Sequence, residues 1–438
     1  MVCATCTRSF SGEVGTDESV TSGGVCKPGS LLIAIFVLRT RQQFEKCIQT
    51  SVQRPPQLGN GPVNGVQRQS SLSAIPEFES ALFGTNQRPL RNKPEAVHQR
   101  IARHDANYTS RVVGAAPVST SLVSLGDVRA AAARIAGVAR RTPLIEVGGV
   151  HGEPAFTVKC ENMQPIGAFK VRGAYNMLAQ LSSDARSAGV ITYSSGNHGQ
   201  AVAFAAQLLG VSAVVVMPET APRVKVEGAE RLGAEVLFAG TTVLDRKSRA
   251  ESEAAARGLT MVPPFDHPWI IAGQGTCGLE IVDQRPSVTA VYVPIGGGGL
   301  ISGVAAAVKA LRNVRIVGVE PAGAAKMTAS RAAGHPVTLP KTASIADGLM
   351  SVRPGDLTFA HVQALVDDVL TVDDGEIAAA VKWLFDNANV VAEPSGAASV
   401  AAVLRDRPAG EDVVAIVSGG NVAPEHYAKY ITGQSILK

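Results

Sequence analysis

From Leu122 onward, short unbroken apolar runs alternate with longer stretches in which apolar residues recur every three or four positions. The runs 190–193, 213–217, 235–238, 290–294, 315–319, 369–372 and 413–417 are rich in Val and Ile and have the length of strands buried on both faces. Between them, residues 199–209, 221–232, 242–257, 269–283, 300–311, 374–387 and 394–404 show helical spacing. A further helix over 125–137, with Asp127 in its first turn, leads in. Strand followed by crossover helix followed by strand, repeated, predicts an α/β protein of doubly wound parallel sheets with helices on both faces. Such sheets bind ligands where strand ends meet helix starts, so the strand-to-helix turns are where chemistry is expected.

The first 118 residues do not share this pattern. They are rich in Gln, Ser, Asn, Pro and Arg, and their one compact apolar run, 31–38, is too short to span a bilayer. They read as a disordered, low-complexity extension. Acidic Glu13, Asp17 and Glu18 precede the apolar run and Arg39 and Arg41 close it, so no secretory signal is read and a cytoplasmic location is expected. The Arg-, Gln- and Ser-rich stretch 39–76 leaves an organellar transit peptide as the alternative. Four of the six cysteines (Cys3, Cys6, Cys26 and Cys47) lie here without a second ligand pair, so no zinc site is expected. The extension holds 13 Lys and Arg against 8 Asp and Glu, and the remainder 28 against 29. The globular part is therefore near neutral, and neither nucleic acid nor membrane is expected as a partner.

Three turns carry chemistry. In the first, Gly296, Gly297, Gly298 and Gly299 follow a strand and open a helix. Four consecutive glycines let backbone N–H groups converge on one oxyanion at a helix N-terminus, which suits a phosphate. The same run also imitates a dinucleotide fingerprint, with Glu320 where a ribose-binding acid would sit, so a nicotinamide oxidoreductase is a remote alternative. In the second turn, Ser194, Ser195, Asn197 and His198 gather hydroxyls, an amide and an imidazole at another helix start, a place for a carboxylate. The third is Asn162-Met-Gln-Pro-Ile-Gly-Ala-Phe-Lys-Val-Arg-Gly-Ala174, where Lys170 stands beside Phe169. Lys170 fits either a snorkelling surface lysine or a desolvated amine competent for a Schiff base. An imine lysine, a phosphate site and a carboxylate site together meet the needs of pyridoxal phosphate chemistry on an amino acid.

The chain resembles the fold-type II pyridoxal-phosphate enzymes, and within them the serine/threonine dehydratase (threonine ammonia-lyase) and serine racemase group. The resemblance rests on Gly167-Ala-Phe-Lys-Val-Arg-Gly173, Ser194-Ser-Gly-Asn-His-Gly-Gln-Ala201, Gly296 to Gly299, Ile345-Ala-Asp-Gly-Leu349, Glu393-Pro-Ser-Gly396 and Ser418-Gly-Gly-Asn421. It implies a tryptophan synthase β-like architecture: a large cofactor-binding domain of residues 119–188 and 269–438, with a small α/β domain, 189–268, inserted. It also implies that Lys170 carries the cofactor, with Phe169 packed by its ring and Asn197 on its phenolic oxygen. Gly296 to Gly299 with Leu300 would hold the phosphate, and Ser418 would face the pyridine nitrogen. Ser194, Ser195, Asn197 and His198 would receive the substrate carboxylate, and Ser195, on the opposite ring face, would reprotonate Cα and give racemase side activity. The implied activity is β-elimination of L-threonine or L-serine to a 2-oxo acid and ammonia, with serine racemisation or 3-hydroxyaspartate dehydration as alternatives and a homodimer or homotetramer as the assembly.

Two departures from the pattern bear on this. Racemase-like members hold a cation between an acid after a strand and a second acid six residues later; here Glu320 is followed by Lys326, whose ammonium opposes a cation, so no metal is expected. Only 17 residues follow Asn421, too few for a regulatory domain, so a catabolic enzyme is expected.

Overall fold

The computed structural model describes residues 121–148, 155–194, 196–406 and 408–433. The extension 1–118, its four cysteines, and Ser195 lie outside the described residues.

The elements follow in order: α1 (Leu125–Ile135), β1 (Leu144–Val147), β2 (Phe156–Cys160), α2 (Lys170–Leu178), α3 (Ser183–Ala188), β3 (Val190–Thr192), α4 (Asn197–Leu209), β4 (Ala213–Met217), α5 (Arg223–Arg231), β5 (Glu235–Phe238), α6 (Val243–Arg257) and β6 (Thr260–Met261). Then come α7 (Pro268–Gln284), β7 (Ala290–Pro294), α8 (Gly299–Leu311), β8 (Arg315–Pro321), α9 (Lys326–Ala333), α10 (Asp356–Leu365), β9 (Asp368–Val372), α11 (Asp374–Ala388), α12 (Pro394–Asp406), β10 (Val413–Val417) and α13 (Pro424–Thr432). Helix starts are fixed by local chemistry. Ser124 with Asp127, Thr242 with Asp245 and Asp373 with Glu376 close reciprocal side-chain to backbone bonds before α1, α6 and α11.

The strands form two sheets. One has six strands in the order β1-β2-β10-β7-β8-β9, and the other four, β5-β4-β3-β6. All pairings are parallel except β1 with β2, where Leu144 faces Lys159 and Val147 faces Phe156. The expected parallel sheets are present, and this edge pair adds one antiparallel pairing. The chain segment joining β1 and β2 spans 148–155, too short for a crossover helix, so it returns the second strand antiparallel.

Both sheets are covered on both faces, as the apolar runs require. In β4, Ala213, Val215 and Met217 enter one apolar cluster and Val214 and Val216 the opposite one. In β10, Val413, Ala415 and Val417 point to one side and Val414 and Ile416 to the other. Each fully buried aliphatic side chain contributes about 1.5–3 kcal/mol, so these strands are the principal source of burial energy.

Candidate active site

The site lies where β2, β3, β7 and β10 end and α2, α4 and α8 begin. β2 and β10 are parallel neighbours, with Cys160 opposite Val417, so the turns that leave them meet. Phe169 N–H donates to Ser418 O at 3.1 Å, and Gly420 N–H donates to Gly167 O at 2.9 Å. Gly167 adopts φ +70°, and a Cβ there would run into the Asn421 carboxamide, so the backbone conformation and the space both demand glycine.

Lys170 is the first residue of α2. Its Nζ donates to Pro264 O at 2.7 Å and lies 5.1 Å from the centre of the Phe169 ring. Burial pushes its pKa down to about 8, so a neutral amine is accessible near physiological pH. Of the two readings of this lysine, the desolvated amine is the one the structure bears.

The helix beginning at Lys170 is anchored from behind by a buried ionic cluster. Arg172 forks onto Glu161, with Nε to Oε2 at 2.7 Å and Nη2 to Oε1 at 2.8 Å, and reaches Glu280 Oε1 at 2.7 Å. Lys159 donates to Glu280 Oε2 at 2.6 Å, to Thr142 O and to Gln284 Oε1. Arg172 holds the Glu161 carboxyl below its usual range against the opposing effect of burial. Every donor of Arg172 has a partner, so the start of α2 has one satisfied position.

Across the cleft, Gly298 takes φ +101° and the run Gly296–Gly299 turns into α8. Two neighbours, Phe265 and Thr358, line it so closely that side chains are excluded. A Cβ on Gly297 would overlap the Phe265 ring, one on Gly299 would lie 3.0 Å from Phe265 Cβ, and one on Gly298 would lie 2.8 Å from Thr358 Cβ. Thr358 Oγ1 donates to Gly297 O at 2.7 Å, and Gly355 N donates to the same carbonyl at 3.3 Å. The first N–H groups of α8, those of Gly299, Leu300 and Ile301, have no partner within the helix and lie where the macrodipole favours an anion.

The Ser194 loop closes the third side. Gly196 caps α4 without a side-chain bond, and its N–H donates to Ser194 Oγ at 3.3 Å. Asn197 Nδ2 donates to Glu393 Oε1 at 2.7 Å while its Oδ1 accepts from Asn421 Nδ2 at 2.8 Å, so the amide is held in one orientation with one N–H to spare. The His198 ring turns inward. Its Nε2 lies 3.1 Å from Val262 O, its Nδ1 is buried without a partner, and burial drives its pKa down to about 3, so the ring is neutral. It offers the loop no positive charge, and its contribution to an anion is limited to its backbone N–H. Ser418 is buried, its Oγ 3.5 Å from Ser395 O.

Several site residues escape sequence reasoning. The segment Val262-Pro-Pro-Phe-Asp266 is the floor: Val262 meets His198, Pro264 meets Lys170, Phe265 walls the glycines, and Asp266 accepts from Asp356 N and Thr358 N. The sequence signal was its double proline after a buried strand. Glu393, quoted as part of a motif but given no role, is buried against Asn197, and burial with the nearby Asp347 charge raises its pKa to about 8. Among the described residues no cluster of three or more His, Cys, Asp or Glu could hold a metal.

Comparison with known proteins agrees with this geometry. Residues 135–419 match the family of pyridoxal-phosphate dependent enzymes. A serine racemase from Oryza sativa subsp. indica is 42% identical over 307 residues, covering 68% of this chain and 90% of that protein. An L-threonine ammonia-lyase from Thermotoga maritima is 41% identical over 309 residues, covering 69% of this chain and 76% of that one. The solved structure of the processed form of threonine deaminase isoform 2 from Solanum lycopersicum superimposes with a TM-score of 0.68 at 38% identity, covering 71% of this chain and 88% of that chain.

The residues present fit the cofactor that defines this family. The glycine run is backed so closely by Phe265 and Thr358 that only bare backbone fits there, the Lys170 amine is desolvated, and the Asn197 amide is oriented with one N–H free. Nothing comparable supports a nicotinamide site, since Glu320 is buried and bonded to Met327 N and Thr328 N, out of reach of a ribose. The chain belongs to the pyridoxal-phosphate dependent enzymes, and its cofactor is pyridoxal 5'-phosphate.

Proposed function

We propose that the protein is an ammonia-lyase that removes the β-hydroxyl and the amino group of L-threonine or L-serine, giving a 2-oxo acid and ammonia. The observation that carries this reading is the position of Lys170 at the start of α2: its Nζ is held on Pro264 O at 2.7 Å and 5.1 Å from the centre of the Phe169 ring, and desolvation lowers its pKa to about 8. The relatives described above are named for threonine and serine chemistry, which supports the same substrates.

Bound pyridoxal phosphate supplies a carbonyl that condenses with amines and a conjugated ring that draws electrons from the substrate Cα. The protein does the rest. Gly296 to Gly299 and Leu300 would hold the phosphate, Phe169 would pack by the ring, and Asn197 would donate to the phenolic oxygen. Ser194, Asn197 and the backbone N–H of His198 receive the substrate carboxylate. Lys170 Nζ would take the Cα proton, and its fixed position would give it a high effective concentration there. Ser418, a neutral hydroxyl, would face the ring nitrogen and offer it no ionic partner, which would favour prompt loss of the β-hydroxyl. Glu393 orients Asn197. Residues 119–188 with 269–438 act as the cofactor-binding body and 189–268 as the smaller one. We further propose a homodimer or homotetramer in the cytoplasm; among the described residues no helix is long and apolar enough to cross a membrane.

A second reading, serine racemase, is favoured by the Oryza relative and by Ser195, which would return a proton from the other face. One experiment separates these. The visible absorbance of the holoenzyme is followed on addition of L-threonine and, separately, L-serine. A band shift with 2-oxobutanoate and pyruvate appearing supports the lyase; D-serine as the main product supports the racemase. Lys170→Ala should lose the band and all turnover, and an active variant would sink both readings.

A further inference from the structure

Lys326 is fully buried, yet the chemistry above gives it no task. It is the first residue of α9, and its side chain points away from solvent to the end of β7. There Nζ donates to Ile295 O at 2.8 Å and to Leu349 O at 3.0 Å and lies 3.3 Å from Glu320 Oε2. An ammonium has three protons, and three acceptors surround it. The Glu320 carboxylate is in turn fixed by Met327 N at 3.0 Å and Thr328 N at 2.7 Å, the free N–H groups that open α9.

The two carbonyls are not ordinary ones. Ile295 immediately precedes Gly296, the first residue of the phosphate cradle, and Leu349 ends the short 3-10 turn Asp347–Leu349. These segments meet at the cradle's edge, where a Cβ on Gly296 would lie 3.0 Å from Gly348 O. Without a shared donor, Ile295 O and Leu349 O would be two buried acceptors lacking this partner, in a place no side chain at Gly296 can fill. A run of four glycines is also the most pliant backbone available, and a phosphate site needs fixed N–H groups.

We propose that the Lys326 ammonium is an internal cation that ties the start of the glycine cradle to the Asp347–Leu349 turn and so positions the cradle for the cofactor phosphate. It is a positioning residue, acting through Ile295 and Gly296. The inference depends on the family's cofactor and not on which amino acid is the substrate.

The test uses the full-length chain stripped of cofactor. Glu320→Gln keeps the tether to both carbonyls; Glu320→Gln combined with Lys326→Met removes the tether without leaving an unpaired charge. Each protein is titrated with pyridoxal 5'-phosphate and with pyridoxal, which lacks the phosphate, reading the absorbance of the Lys170 adduct. The tether predicts that the double variant loses tenfold or more in affinity for pyridoxal 5'-phosphate but less than twofold for pyridoxal, while Glu320→Gln alone changes either by less than twofold. Equal losses for both compounds would mean a merely structural lysine and overturn the proposal, as would wild-type affinity for pyridoxal 5'-phosphate. Should the double variant fail to fold, Lys326→Gln is put through the same pair of titrations and judged by the same selective loss.

Discussion

The two sheets treat charge in opposite ways. Around the six-stranded sheet, Lys159, Glu161, Arg172, Glu320, Lys326 and Glu393 are all buried, and each has a hydrogen-bonded or ionic partner. Within 189–268 no described Asp, Glu, Lys or Arg is buried; the buried polar groups are Thr192, His198 and Thr260. Charges there sit on the outer helices, as in Arg249–Glu253 and Lys247–Glu251 along α6 and Arg257–Glu235 from α6 to β5. Exposed pairs contribute at most about 1 kcal/mol, whereas a buried pair adds little net stability but leaves few arrangements in which all its bonds are made. Lys159, Glu161 and Arg172 stand behind the lysine turn, Glu320 and Lys326 behind the glycine cradle, and the protonated Glu393 carboxyl beside Asn197. Ionic interiors are thus placed where backbone position matters to chemistry, and the four-stranded sheet relies on apolar packing.

That contrast can be broken most forcefully at Arg172. Arg172→Met leaves Glu161 and Glu280 without their shared cation, and we expect a loss of about 3–5 kcal/mol in urea unfolding of the cofactor-free protein. Next, Gly297→Ala forces a methyl against Phe265, and overpacking of about 1–3 kcal/mol should weaken cofactor affinity about tenfold with little change in the fold. A smaller effect concerns Glu393. Its pKa in the folded protein, about 8, lies above the ordinary carboxyl value, so the native state holds a proton that the unfolded chain releases. The stability this gives is fully present below pH 4.5 and is lost as the pH rises through about 8. Melting of the cofactor-free protein should therefore decline from pH 5 to 8, and Glu393→Gln should flatten that decline; an unchanged slope would remove Glu393 as its cause. The smallest effect is expected on the other sheet, where Arg249→Ala should alter stability by no more than about 0.5 kcal/mol.

Much of this architecture is legible without coordinates because parallel strands announce themselves. The expected strands 213–217, 235–238, 290–294 and 413–417 coincide with β4, β5, β7 and β10 to the residue. What escapes are β1, β2 and β6 and the helices α2, α3, α9, α10 and α13. β2 reads Phe-Thr-Val-Lys-Cys, and its Lys159 looks like a solvent-facing interruption until Glu280, on α7, is brought beside it by the fold. Lys326 and Glu393 mislead in the same way, since a charge in sequence carries no sign of the distant partner that buries it. The motif turns at Lys170, Gly296 and Asn197 were legible because glycines and hydroxyls advertise backbone access. Their supporting wall, Pro264, Phe265 and Thr358, was not, because its role lies in contact and not in composition.

The pairing of β2 with β10 also has a consequence for synthesis. Strand β10 is the neighbour of both β2 and β7 in the sheet, yet it is made after every other strand. Until residues 413–417 emerge, β2 and β7 each present an unpaired edge, and the lysine turn has no Ser418 backbone to grip. Such open edges invite pairing with other chains, and long-range closure is slow. A growing chain therefore passes most of its synthesis as a sticky, split half-sheet, and translation arrest before residue 413 should yield aggregates in place of a partly active enzyme.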